Sequence, residues 1–119
     1  MKHLKTYENL NQEPVITYYS SNGQKQYEEY YLNGKWHRED GPAIQSWWEN
    51  GQKESEFYYL NGKRHREDGP AYQGWYENGQ KESEIYYLNY NSYSRENWLN
   101  ELKKINSPHY EDQLMKYEA

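Results

Sequence analysis

A mainly β fold, an antiparallel meander of about three 28-residue hairpin repeats, is predicted by three observations. The first is a repeated segment. Asn33-Gly34-Lys35-Trp36-His37-Arg38-Glu39-Asp40-Gly41-Pro42-Ala43 returns as Asn61-Gly62-Lys63-Arg64-His65-Arg66-Glu67-Asp68-Gly69-Pro70-Ala71, 28 residues further on. Repetition at a fixed period marks a modular array. The second is the turn chemistry, for Asn22-Gly23, Asn50-Gly51 and Asn78-Gly79 keep the same interval, as do Pro14, Pro42 and Pro70. The third is the short β-prone runs, rich in Tyr and Trp, that separate these turns.

The unit 42–69 divides into three extended pieces. Residues 43–48 end at Glu49-Asn50-Gly51-Gln52, residues 53–60 end at Asn61-Gly62, and residues 63–66 close on Glu67-Asp68-Gly69-Pro70. Asn-Gly suits a type I′ hairpin turn, in which both residues take a positive φ. Gly41 and Gly69 are expected to hold strained turns, with Asp40 and Asp68 bonding their own backbone and Pro42 and Pro70 opening the next strand. Three strands per unit would set equivalent strands about 14 Å apart. Strand alternation puts Glu54, Glu56, Tyr58 and Leu60 on one face and Lys53, Ser55, Phe57 and Tyr59 on the other. Neither face is purely apolar, so an extended single-layer sheet is expected rather than a sandwich.

The array is expected to run over residues 14–93, after an N-terminal segment 1–13 to which no element is assigned. Beyond Leu88 the turn motif decays into Asn89-Tyr90-Asn91-Ser92-Tyr93. Residues 94–119 are predicted to form a helical cap. Ser94 can cap a helix whose apolar face is Trp98, Leu99, Leu102 and Ile105, and Ser107-Pro108 breaks it. A second helix over 110–117 would offer Leu114 and Met115. Such a cap would stop further strand pairing.

Composition bounds the rest, and one structural unit is expected from 119 residues. Only 34% of residues are hydrophobic and mean hydropathy is −1.55, yet there are 16 Tyr and 5 Trp. These amphipathic rings supply burial to a thin structure. The net charge is −5, which argues against direct nucleic-acid binding. There is no Cys, so thiolate chemistry is excluded. The start of the chain lacks a signal peptide's apolar core and no long apolar run is present, so no membrane association and a cytoplasmic location are expected.

The units Asn-Gly-Lys-x-His-Arg-Glu-Asp-Gly-Pro-Ala and Glu-Asn-Gly-Gln-Lys-x-x-x-x-Tyr-Tyr-Leu resemble variant MORN-type repeats of bacterial, phage and giant-virus proteins. The tail from Tyr86-Tyr87-Leu88 to Ser94-Arg95-Glu96-Asn97-Trp98 is similar to the ends of such viral arrays. The resemblance implies a binding scaffold. It also implies phage or prophage origin, and with it inhibition of a host protein such as a CRISPR-type defence nuclease. The unit is longer than an ordinary MORN repeat, so lipid binding is not carried over.

Three functional readings follow. The first is a non-enzymatic module binding another protein, through Tyr30, Trp47, Tyr58, Trp75 and Tyr86 together with Glu54, Glu56, Glu82 and Glu84. Tyr and Trp dominate interface hot spots, although the same rings can hold a thin sheet together by stacking. The second is an acidic mimic that occupies the groove of a nucleic-acid enzyme. Pairing of these carboxylates with Lys25, Lys53 and Lys81 of their own strands is not expected, because alternation separates them. The third is an enzyme using His37 and His65, against which stands their regular recurrence beside turns. Asn33, Gly34, Asn61 and Gly62 are assigned to turns, no catalytic or metal residue is assigned, and no cofactor is expected. A homodimer stays open.

Overall fold

The computed structural model describes residues 2–5 and 15–119. It shows an antiparallel meander closed at one end by two helices, with no closed barrel. Its main sheet runs β1 (Lys2–Lys5), β2 (Val15–Tyr19), β3 (Lys25–Glu29), β6 (Ile44–Trp47), β7 (Lys53–Phe57), β10 (Tyr72–Trp75), β11 (Lys81–Leu88) and β12 (Asn91–Tyr93). Two small ribbons stand beside it, β4 (Tyr31–Leu32) with β5 (Lys35–Trp36) and β8 (Tyr59–Leu60) with β9 (Lys63–Arg64). β1 falls in a segment where the sequence suggested no element. Pro14 lies outside the described residues.

Each unit therefore gives the main sheet two strands, not three. The run 53–60 is interrupted at Tyr58, whose N–H donates to the Ala71 carbonyl at 2.7 Å, and its far end pairs back on itself through the ribbon. Equivalent strands sit two positions apart, about 10 Å rather than 14 Å. Ala43 and Ala71 are fully buried at these crossings. The Ala43 N–H donates to the Phe57 carbonyl and its own carbonyl accepts from the Tyr30 N–H, so it joins two strands.

The Asn-Gly pairs are of two kinds. Asn33-Gly34 and Asn61-Gly62 have positive φ at both residues and make the expected tight ribbon turns. Asn89-Tyr90 makes the same turn with φ of 50° and 78°, so β11 and β12 repeat the ribbon without glycine. In Asn22-Gly23, Asn50-Gly51 and Asn78-Gly79 only the glycine is positive, and the Asn side chain accepts the N–H two residues on. These wider turns are each followed by a bulge. Trp47 faces Lys53 while Ser46 faces Ser55, which leaves Glu54 as an extra residue.

The repeated His-Arg-Glu-Asp-Gly-Pro segments fold onto one side of the sheet. Arg38 lies 3.9 Å from the centre of the Tyr30 ring and Arg66 3.9 Å from that of Tyr58. Their Nε atoms bond Asp40 and Asp68, and their Nη1 atoms donate to the carbonyls of Pro42 and Pro70. Gly41 and Gly69 are not in the left-handed region, contrary to the strained turns expected there. Their role is space. A Cβ would come 3.0 Å from Arg38 Cζ at Gly41 and 2.8 Å from Arg66 Cζ at Gly69.

At the end of the array, α1 (Arg95–Lys104) is capped by Ser94, which accepts from the Asn97 N–H. Trp98, Leu99 and Leu102 bury against Tyr86 and Leu88. Trp98 packs on Tyr86 with ring centres 4.7 Å apart and planes tilted by 46°, where Tyr30 and Tyr58 carry an arginine, and its indole N–H donates to the Arg66 carbonyl. α2 (Tyr110–Glu118) docks through Gln113, which donates to the Asp68 carbonyl. Ile105 and Met115 are exposed rather than apolar contacts.

Gly69→Ala should lower unfolding free energy by about 1–3 kcal/mol by driving the guanidinium off Tyr58, and Trp98→Ala by about 3–5 kcal/mol. Urea denaturation measures both. A Gly69→Ala protein as stable as the parent would refute the packing role.

Candidate functional site

The bulge decides the chemistry of one sheet face. By resetting the alternation it brings Lys53 to the same side as Glu56, against the expectation that the two are separated. The pairs are Lys25–Glu28 at 3.0 Å, Lys53–Glu56 at 3.2 Å and Lys81–Glu84 at 3.0 Å. Strand register places Thr17, Glu28, Gln45, Glu56, Gln73 and Glu84 in one row across the sheet. Gln45 donates to Glu28 at 2.7 Å and accepts from Lys53 at 2.7 Å; Gln73 donates to Glu56 at 3.0 Å and accepts from Lys81 at 2.7 Å. The result is a ladder of carboxylate, amide and ammonium groups.

Aromatic rings flank the ladder. Lys53 lies 4.9 Å and Lys25 5.9 Å from the Trp47 ring centre, and Lys81 lies 5.7 Å from that of Trp75. Both indoles stay half-buried. Tyr30 and Tyr86 are buried and donate to Glu28 and Glu84. Burial pushes the Tyr86 hydroxyl up, which keeps it a donor. Tyr58 is half-buried beneath Arg66. Glu54 and Glu82 part from the ladder and line a depression of about 300 Å³ with Ser46, Ser55, Phe57 and Tyr72. Of the sequence-derived candidates, the structure brings together Trp47, Glu56, Trp75 and Glu84. Gln45, Gln73 and the three lysines were missed, although each recurs at the 28-residue period.

A second concavity of about 600 Å³ lies between the two repeated loops and the α1–α2 turn, lined by Arg38, Asp40, Tyr58, His65, Arg66 and Glu67 among others. The histidines face the array. His37 Nδ1 accepts the Asn61 N–H and His65 Nδ1 the Asn89 N–H, both at 2.9 Å, while His65 Nε2 pairs with Glu67. Each ring thus holds the turn of the next unit. Among the described residues no group of three or more His, Cys, Asp or Glu side chains could hold a metal ion. No helix there is long and apolar enough to cross a membrane.

Comparison of the chain with protein-family models, with curated proteins and with solved structures finds no match.

Burial, with Glu28 only 4% exposed, pushes its carboxyl up, but hydrogen bonds from Lys25, Gln45 and Tyr30 and the Lys25 charge pull it below the usual range. Glu67 and Asp68 are also lowered, against the upward push of burial, by bonds from His65 and Arg66 respectively. A lowered folded pKa contributes stability above the unfolded value of about 4.3 for Glu, and that stability is lost as pH falls through the folded value. Urea titrations should show unfolding free energy dropping below about pH 4.3, and Glu28→Gln should flatten that slope. An equal slope in the variant would remove Glu28 from the acid response.

Proposed function

We propose that the chain is a non-enzymatic repeat module that binds another protein through the ladder face. The observation that carries this reading is the pair of half-buried indoles, Trp47 and Trp75, held by lysines on a sheet face whose Glu56 and Glu84 are matched by Lys53 and Lys81. Aromatic anchors fixed in advance lose little entropy on binding. Supporting a role without chemistry, His37 and His65 each spend one ring nitrogen on a backbone N–H of the next unit. The acidic-mimic reading draws less support, since Glu28, Glu56 and Glu84 each carry a lysine partner.

The likeness of the repeated motif to variant MORN-type units adds a narrower proposal. The protein is phage or prophage encoded, acts in the host cytoplasm, and blocks a host protein such as a defence nuclease. Affinity capture from host lysate, with Trp47→Ser/Trp75→Ser beside the parent, tests the face. The parent should retain one partner at high salt. The double variant, folded by circular dichroism, should bind that partner at least about tenfold more weakly. A partner released from the parent by salt would favour acidic mimicry instead.

A further inference from the structure

We propose that the outer edge of β11, Lys81–Ile85, is a strand-addition site for an antiparallel peptide with the pattern aliphatic or aromatic, Gln, small, Trp. The proposal rests on the protein-binding reading and deepens it by naming what in the partner is recognised.

The array itself shows what fits this edge. The same stretch one unit earlier, β7, carries β10, with Phe57 opposite Tyr72, Glu56 opposite Gln73 and Ser55 opposite Gly74. Two units earlier, β3 carries β6, with Glu29 opposite Ile44, Glu28 opposite Gln45 and Tyr27 opposite Ser46. In β11 the side facing β10 is occupied, β12 pairs only with Tyr86–Leu88, and among the described residues no strand lies beside Lys81–Ile85. All five of those residues are exposed. The Ala71 N–H donates to the Ile85 carbonyl at 3.0 Å, so Ile85 turns its backbone groups toward β10. Alternation then turns the N–H and C=O of Glu84 outward, while Glu82 lies in the bulge.

The side chains repeat the message. Glu28 takes Gln45 and Glu56 takes Gln73, but Glu84 has no glutamine and meets only Lys81 and, at 3.4 Å, the Tyr86 hydroxyl. Side-chain exposure rises accordingly, from 5% at Glu28 to 17% at Glu56 and 36% at Glu84. A partner glutamine opposite Glu84 would complete the ladder. The sequences already seated on this edge, Ile44-Gln45-Ser46 and Tyr72-Gln73-Gly74, each followed by Trp, define the pattern.

Charged residues commonly guard sheet edges. Here they do not bar a strand, because Glu56 occupies the place of Glu84 in β7 and sits opposite Gln73 of β10. A second copy presenting its own β11 edge is disfavoured. Antiparallel pairing of the two edges about Glu84 would set that residue against its own copy, like charge on like.

The test uses the full chain and a labelled peptide with the sequence of residues 69–75, Gly-Pro-Ala-Tyr-Gln-Gly-Trp. Saturable binding is expected by fluorescence anisotropy, with amide shifts confined to residues 81–85. A peptide with Gln replaced by Leu should bind about tenfold more weakly. The variant Glu84→Leu should erase the difference between the two peptides. Equal binding of both peptides by the parent, no saturable binding, or shifts elsewhere would overturn the proposal. So would concentration-dependent self-association that perturbs residues 81–85 without peptide, since the edge would then belong to a second copy. A protein partner captured through Trp47 and Trp75 while the peptide fails to bind would sink the edge site and leave the face reading standing.

Discussion

The imidazole of His37 accepting the Asn61 N–H, and that of His65 accepting the Asn89 N–H, tie each unit to the turn of the next. A unit of this size has too little apolar surface to close a core, so its stability must come from neighbours. Three further contacts cross the same boundary in step with the histidine: Arg38 N–H to Tyr59, Gly62 N–H to Trp36, and Tyr30 N–H to Ala43. The Arg-Tyr stacks lie within this frame, and so do the strand pairings that align the carboxylate-amide row. Loss of one such tie would loosen a whole ribbon rather than one side chain.

The thin sheet explains the composition. Residues on a single layer are rarely buried outright, and a row of Leu or Val on each face would leave apolar surface in water. Tyr and Trp bury their rings against neighbours and send hydroxyl or indole N–H groups to acceptors, as Tyr27 and Tyr31 do to Glu29 and Trp48 does to the Trp75 carbonyl. Glutamate and glutamine in alternating strands do the equivalent work for polar groups. An amide can donate to one carboxylate and accept from the next lysine, so the row propagates without accumulating charge.

The two halves of β11 are treated differently. At the distal half of β11 the repeat is replaced by α1 and α2, with Trp98 taking the stacking position of an arginine and Gln113 satisfying a loop carbonyl. The helices cover the ring of Tyr86 and the side chain of Leu88, where exposed apolar surface would cost most. They do not cover the proximal edge. Among the described residues the cap closes the hydrophobic end of β11, and no strand pairs with its proximal outer edge.

By itself the sequence determined the period, the hairpin turns, the Ser94-capped helix with Trp98, Leu99 and Leu102 inward, and the single-layer antiparallel character. Those are local properties: a positive φ favours Asn and Gly, and apolar spacing follows from helical or strand geometry. Tertiary structure alone decided which Asn-Gly pairs are tight, that each unit sends two strands to the sheet, and that Lys53 meets Glu56. The last of these depends on one extra residue, Glu54, set by the partner strand across the bulge, and a shift of one residue exchanges the faces of everything before it. For the same reason Trp47 and Glu56 were legible as candidates, whereas Gln45 and Gln73 were not. Their importance lies in the carboxylate opposite, which register assigns and local pattern does not.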